Sequence, residues 1–278
     1  MLKSFLFILF FITALNVSAV IDVAVGIAPV KYIVEQIGGD KVNVFCVLPE
    51  GKNMHDFSIT PEMVRKVASS KIFFNVNLLF EQQLAGMVNP RKTEVVDLSV
   101  YVLKIMDLHF LNPHRHDHND VHIWFSYDSL YRMVVETEKF LSEIDGKNAG
   151  YYFKNRVDLC HKIENARHAA DKKLRKCNQR VFITYHAAFG YYAVEFNLHQ
   201  QSFWYNGDIT PKNLAEAARA VKKYHIKRIF IQSHVSEKVR NALQNATKCE
   251  LVVIDPDSYD VLATLNKFTD ELEVALEK

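Results

Sequence analysis

The chain has almost no net charge: 34 Lys and Arg stand against 32 Asp and Glu in 278 residues, formally +2. A protein whose main partner is nucleic acid or an anionic membrane surface concentrates positive charge, so neither partner is expected. Cysteine is scarce as well. Cys46, Cys160, Cys177 and Cys249 lack the Cys-x-x-Cys proximity of a zinc ribbon. Catalytic signatures are missing too, with no His-Glu-x-x-His helix, no Gly-x-Ser-x-Gly elbow and no Gly-rich phosphate loop. An enzyme acting on a small organic substrate is therefore not expected.

Long apolar runs are confined to the start. Met1-Leu2-Lys3 opens with a positive charge, Phe5 to Leu15 is apolar, and Val17-Ser18-Ala19 supplies the small residues a signal peptidase reads. The run is short for a bilayer span of about 20 residues, so residues 1–19 read as a signal peptide cut after Ala19. Val20 at the cut, in place of Cys, argues against a lipid anchor. The expected product is a soluble, exported monomer in the periplasm. In that oxidising compartment one disulfide is plausible, with Cys177 and Cys249 the favoured pair and four unpaired buried cysteines the alternative.

What is present is a 49% apolar chain with 24% charged residues, the composition of a globular protein with a real core. Short Val-, Ile- and Phe-rich runs alternate with helical patterns, as in parallel α/β units. Strands are predicted at Val23 to Ile27, Val42 to Leu48, Ile72 to Val76 and Val95 to Leu98. The second half offers Val181 to Tyr185, Ile226 to Ile231, Leu251 to Ile254 and a weaker run from Gln200 to Trp204. Thr60-Pro61 and Thr210-Pro211 each put a capping hydroxyl before a first-turn proline, and a last helix carries Val261, Leu265, Phe268, Leu272 and Leu276 on one face.

Between the halves strand signals stop. From Asp128 to Lys176 two helical patterns meet at Asp145-Gly146, the second running about 28 residues, or about 40 Å at 1.5 Å per residue. The expected fold is α/β: two small parallel-sheet lobes, residues 20–127 and 178–278, joined by a stiff helical connector over residues 128–177.

The chemistry lies in histidines. His55, His122, His186 and Asp255 are spaced almost evenly, and three of them follow predicted strands, where open parallel sheets bind ligands. Three imidazoles with a carboxylate suit zinc better than manganese, which favours oxygen ligands. Because imidazoles must be neutral to bind, affinity is expected to fall as pH drops through about 6.5. A denser group, His109, His114, His116 and His118, reads as a low-affinity accessory zinc loop or as a solvated loop with incidental histidines.

Four ordered segments carry a family resemblance: PEGKNMHDFSITP (residues 49–61), DVHIWFS (120–126), TYHAAFGYYAVEFNL (184–198) and VIDPDSY (253–259). Together they resemble the zinc- and manganese-binding solute-binding proteins of bacterial ATP-binding-cassette importers. The resemblance implies two lobes bridged by a rigid helix, one ion between them, and delivery to a membrane permease. It implies zinc where the third ligand is His, as His186 is here, and manganese where it is Glu. Asp257 reads as a poorer ligand than Asp255, being placed to cap the last helix. The chain departs from the pattern at Gln232, where the family has Glu, and at NVNLLFEQ, where it has a Gly-rich turn before Glu81. A manganese or iron binder, a metal-binding surface adhesin and an exported zinc hydrolase using Glu50 or Glu195 as base are the competing functions.

Overall fold

The computed structural model describes residues 20–48, 51, 57–102, 120–204 and 209–277. The expected leader, His55 and the histidines at 109, 114, 116 and 118 lie outside the described residues.

Eight strands form two four-stranded parallel sheets of the same topology. The first contains β1 (Ile21–Val25), β2 (Val42–Cys46), β3 (Ile72–Asn75) and β4 (Glu94–Asp97), in the order β2-β1-β3-β4. The second contains β5 (Val181–His186), β6 (His199–Trp204), β7 (Arg228–Ile231) and β8 (Glu250–Val253), in the order β6-β5-β7-β8. Every pairing is parallel. In each sheet the chain leaves the first strand to one side and returns on the other, so a crevice opens at the carboxyl ends of β1 and β3 and of β5 and β7.

The helices are α1 (Ala28–Gly38), α2 (Pro61–Ser69), α3 (Leu79–Met87), α4 (Tyr127–Ile144), α5 (Ala149–Leu174), α6 (Gly190–Glu195), α7 (Pro211–Tyr224), α8 (Glu237–Thr247) and α9 (Val261–Leu276). Both Thr-Pro starts behave as read: Thr60 accepts from the Met63 N–H and Thr210 from the Asn213 N–H, each with Pro in the first turn. Among the described residues no helix is long and apolar enough to cross a membrane.

One hydrophobic core runs through both sheets. It joins β1 and β3 to α1, α4 and α5, and continues to Phe182, Phe230, Tyr192 and Phe268 on one face of the second sheet. Ile183, Tyr185, Ile229 and Ile231 point to the opposite face, against Ala217 of α7 and Leu243 of α8. α5 ties the halves together: Asn155 donates to the Ile37 carbonyl at the end of α1, and Lys173 pairs with Asp270 of α9. At 26 residues it is about 39 Å long. Where sequence places the break, Asp145 ends α4 and its carboxylate accepts from Asn148 and Tyr152, both at 2.7 Å.

The favoured disulfide is corrected: all four cysteines are free. Cys177 packs in the large core with its thiol directed at the Lys173 and Glu273 carbonyls, whereas Cys249 belongs to the cluster on the other side of the second sheet. Both precede strands, but the sheet stands between them. Burial pushes both thiols up from their ordinary value, as inert structural cysteines require.

A buried acid closes the crevice of the first sheet. Glu81 in α3 is fully buried; its Oε2 accepts from the Val76 and Leu78 N–H groups at 2.9 and 2.8 Å. A Cβ on Gly26, just past β1, would lie 1.6 Å from Glu81 Oε1, so only glycine leaves room for the carboxyl. Asn77 takes the positive φ of 68° at this turn, a conformation asparagine tolerates. Burial raises the Glu81 carboxyl from 4.5 to about 8. The folded protein then keeps a proton that the unfolded chain releases, so this group's contribution to stability is greatest below pH 4.5 and falls as pH rises towards 8. Glu81→Gln removes that slope. Urea unfolding of variant and wild type should show the variant gaining a few kcal/mol relative to wild type across this window, at about 1.4 kcal/mol per pKa unit; a pH-independent difference contradicts the assignment.

Candidate metal site at the strand ends

His186 is the final residue of β5, one position earlier than the sequence suggests, and His122 lies in the turn before α4. Their ring centres are 5.2 Å apart with planes at 75°. Taking Zn–N of about 2.1 Å and tetrahedral ligand angles, two imidazoles on one ion have ring centres roughly 5 Å apart. The pair is spaced for a shared cation, and both side chains are shielded from bulk water, at 4% and 9% exposure.

His122 is held by Asp120. The Asp120 Oδ1 atom accepts from the His122 N–H at 3.0 Å and from its Nδ1 at 2.8 Å. A carboxylate has no proton to give, so Nδ1 carries the hydrogen and the neutral ring keeps its lone pair on Nε2. Oδ2 accepts from the Gly190 N–H at 3.1 Å, at the start of α6. This carboxylate–imidazole arrangement is the outer shell that metal-binding histidines use to fix tautomer and orientation. Composition and spacing passed over Asp120, although its place two residues before His122 on a turn was a readable signal.

The acid loop from β8 to α9 is the third component. Asp255 Oδ1 accepts from the Asp257 N–H at 3.1 Å, and its Oδ2 accepts from the Ser233 hydroxyl. Asp257 is different: its Oδ1 is closed off from solvent and accepts no hydrogen bond. Burial raises its carboxyl to about 6, His122 opposes that rise, and Asp255 adds to it, so Asp257 stands within electrostatic reach of both. The reading of Asp257 as the cap of the last helix is corrected: Asp260 caps α9 by accepting from the Ala263 N–H at 2.9 Å. A cavity of about 370 Å³ opens beside this loop, with Ser233, His234, Asp255, Asp257 and Lys267 in its wall.

The loop is tied to the His122 segment. Trp124, fully buried, donates its indole N–H to the Pro256 carbonyl at 2.9 Å, and its ring lies 5.3 Å from that of His122. Phe125 packs edge-on against Phe189, three residues past His186, at 5.1 Å. Gln232, just past β7, is 1% exposed with neither side-chain polar atom hydrogen-bonded. Glu195, one of the two bases considered for a hydrolase, is engaged: its Oε1 accepts from Arg167 at 2.6 Å and its Oε2 from the Tyr127 N–H at 2.9 Å. Among the described residues no three His, Cys, Asp or Glu side chains are gathered tightly enough to hold a metal ion by themselves. The described part of the site is an imidazole pair with an acid loop beside it.

The family model for the periplasmic zinc-uptake complex component A matches residues 23–268. A putative metal-binding protein of Chlamydia muridarum is 24% identical over 254 residues, covering 88% of this chain and 87% of that protein. The zinc-binding protein AdcA of Streptococcus pyogenes serotype M3 is 24% identical over 252 residues, covering 82% of this chain and 48% of that longer protein. The crystal structure of ZnuA superposes with a TM-score of 0.81 at 23% identity, over 93% of this chain and all of that one, which shows the shared fold.

If Asp120 orients His122, Asp120→Ala should weaken binding of a divalent cation by about 10- to 100-fold, the usual effect of losing an outer-shell partner. Competition against a chelating dye measures this, and undiminished affinity would remove Asp120 from the site.

Proposed function

The chain belongs to the zinc-uptake complex component A family, and from that membership we propose that it captures Zn²⁺ outside the cytoplasmic membrane and hands it to the permease of an ATP-binding-cassette importer. It is a binding component of an uptake system, not an enzyme. The observation that carries the zinc reading is the His122–His186 pair, at a separation that suits one tetrahedral ion, with Asp120 fixing one ring.

The proposed ligands are His122, His186, His55 from the segment before α2, and a carboxylate from the acid loop. Of the two candidates there, Asp257 fits better than Asp255. Both Asp255 oxygens already accept hydrogen bonds, whereas a buried Asp257 Oδ1 without a partner is compensated by a cation. Imidazole-rich coordination favours zinc over manganese. The same reading takes residues 1–19 as an export signal and the histidines at 109, 114, 116 and 118 as an accessory collector. It also takes residues 20–127 and 178–278 as lobes on either side of a connector over 128–177.

The test is a titration of the metal-stripped protein with Zn²⁺ and Mn²⁺, with elemental analysis of what it retains. One tight zinc per chain and weaker manganese are expected. His186→Ala should lose more than the roughly 100-fold typical of outer-shell changes, and Asp257→Ala should lose more than Asp255→Ala. Equal, tight binding of both ions contradicts the zinc assignment.

A further inference from the structure

The acid loop between β8 and α9 is pinned at two points to residues far away in sequence. One is the buried hydrogen bond from Trp124 to the Pro256 carbonyl. The other lies towards the surface: the Tyr259 hydroxyl donates to Glu35 Oε2 of α1 at 2.6 Å, across 224 residues. Tyr32, one turn away on α1, meets the Tyr259 ring edge-on at 5.6 Å and 82°. Lys31 sits 3.7 Å from the other Glu35 oxygen. Asp257 lies between the two pins, so the backbone that carries its carboxylate is restrained on both sides.

We propose that the Glu35–Tyr259 hydrogen bond is a latch on the acid loop, setting how long a metal ion stays bound at the His122–His186 site. The choice between the two pins follows from burial. Trp124 is wholly enclosed, and an indole N–H separated from its acceptor there has no water to replace it. Glu35 is one-third exposed, so its carboxylate is resolvated when the latch opens. Burial and the Glu35 charge push the Tyr259 hydroxyl up from its ordinary value, so it remains a donor throughout the physiological range. α1 starts immediately after β1 and packs against α4 and α5, so the latch fastens the second sheet's loop to the first sheet's scaffold. Glu35 and Tyr259 are positioning residues that act on the ion through Asp257.

The inference rests on the zinc-binding reading, and stopped-flow release of zinc to an excess of chelator separates the two. Tyr259→Phe keeps the ring against Tyr32 and loses only the hydroxyl; Glu35→Ala removes the acceptor. Each should speed release by about tenfold, with unchanged association rate and unchanged apo-protein melting temperature. The double variant should be no faster than either single one, because both remove the same bond. Glu35→Gln, which keeps an acceptor oxygen, should restore most of the slow release. Wild-type release in Tyr259→Phe, additive effects in the double variant, or a loss explained by a lowered melting temperature overturns the latch while leaving zinc binding intact. A wild-type protein that takes up no zinc overturns the parent reading and the latch with it.

Discussion

The Asp120 carboxylate is the constraint on which the site depends. It accepts hydrogen bonds from the backbone and ring of His122 and from the first N–H of α6, four residues past His186. Hydrogen bonds to a charged group are worth about 1.5–3 kcal/mol each, and leaving such a group buried without them is more costly still. A second carboxylate does the same at the other end of that short helix. Glu195 accepts from the Tyr127 N–H and from Arg167, joining α6 to the start of α4 and to α5. Burial raises the Glu195 carboxyl and Arg167 opposes that rise, so the group is held by pairing in place of hydration. The segment from Asp120 to Tyr127 is thereby sewn to the strand end that carries His186.

The packing around the polar groups explains why they stay in place. Phe125, Phe189, Phe268 and Tyr192, in that order, form a chain of aromatic contacts with centroids 4.6 to 5.1 Å apart along its successive pairs. Tyr127 and Tyr192 both bring their hydroxyls to Thr269 of α9. Aromatic pairs at such distances contribute beyond their buried area, and together with α5 they leave little freedom for the halves to slide. Motion is more easily accommodated in the acid loop, whose outer fastening is partly solvated.

Much of the fold was legible in the sequence because parallel strands buried on both faces read as continuous Val, Ile and Phe runs. Seven of the eight strands lie near such runs and β6, His-Gln-Gln-Ser-Phe-Trp, near the weaker signal at its end, while both Thr-Pro starts are capped as their chemistry implies. α1, α3, α6 and α8 were not read, the last although Ser236 caps it by accepting from the Val239 N–H. Neither Ile27 nor Leu78 nor Phe189 offers a capping side chain, and α6 has only six residues. The cysteines misled because lying before a strand says nothing about which side of a sheet a side chain takes. In the site, the Asp-x-His-x-Trp and His-Ala-Ala-Phe-Gly segments led to the imidazole pair. Spacing alone could not rank Asp255 against Asp257, since that depends on which carboxylate the surrounding hydrogen bonds have already taken. The Glu35–Tyr259 contact is invisible to any local pattern.

The central claim is that one ion sits between His122 and His186, and a crystal structure of the zinc-loaded protein with anomalous data at the zinc edge tests it most directly. The account predicts a single strong peak about 2.1 Å from a nitrogen of each ring, the His122 nitrogen being Nε2. A fully occupied zinc elsewhere, with the two rings uncoordinated, contradicts it.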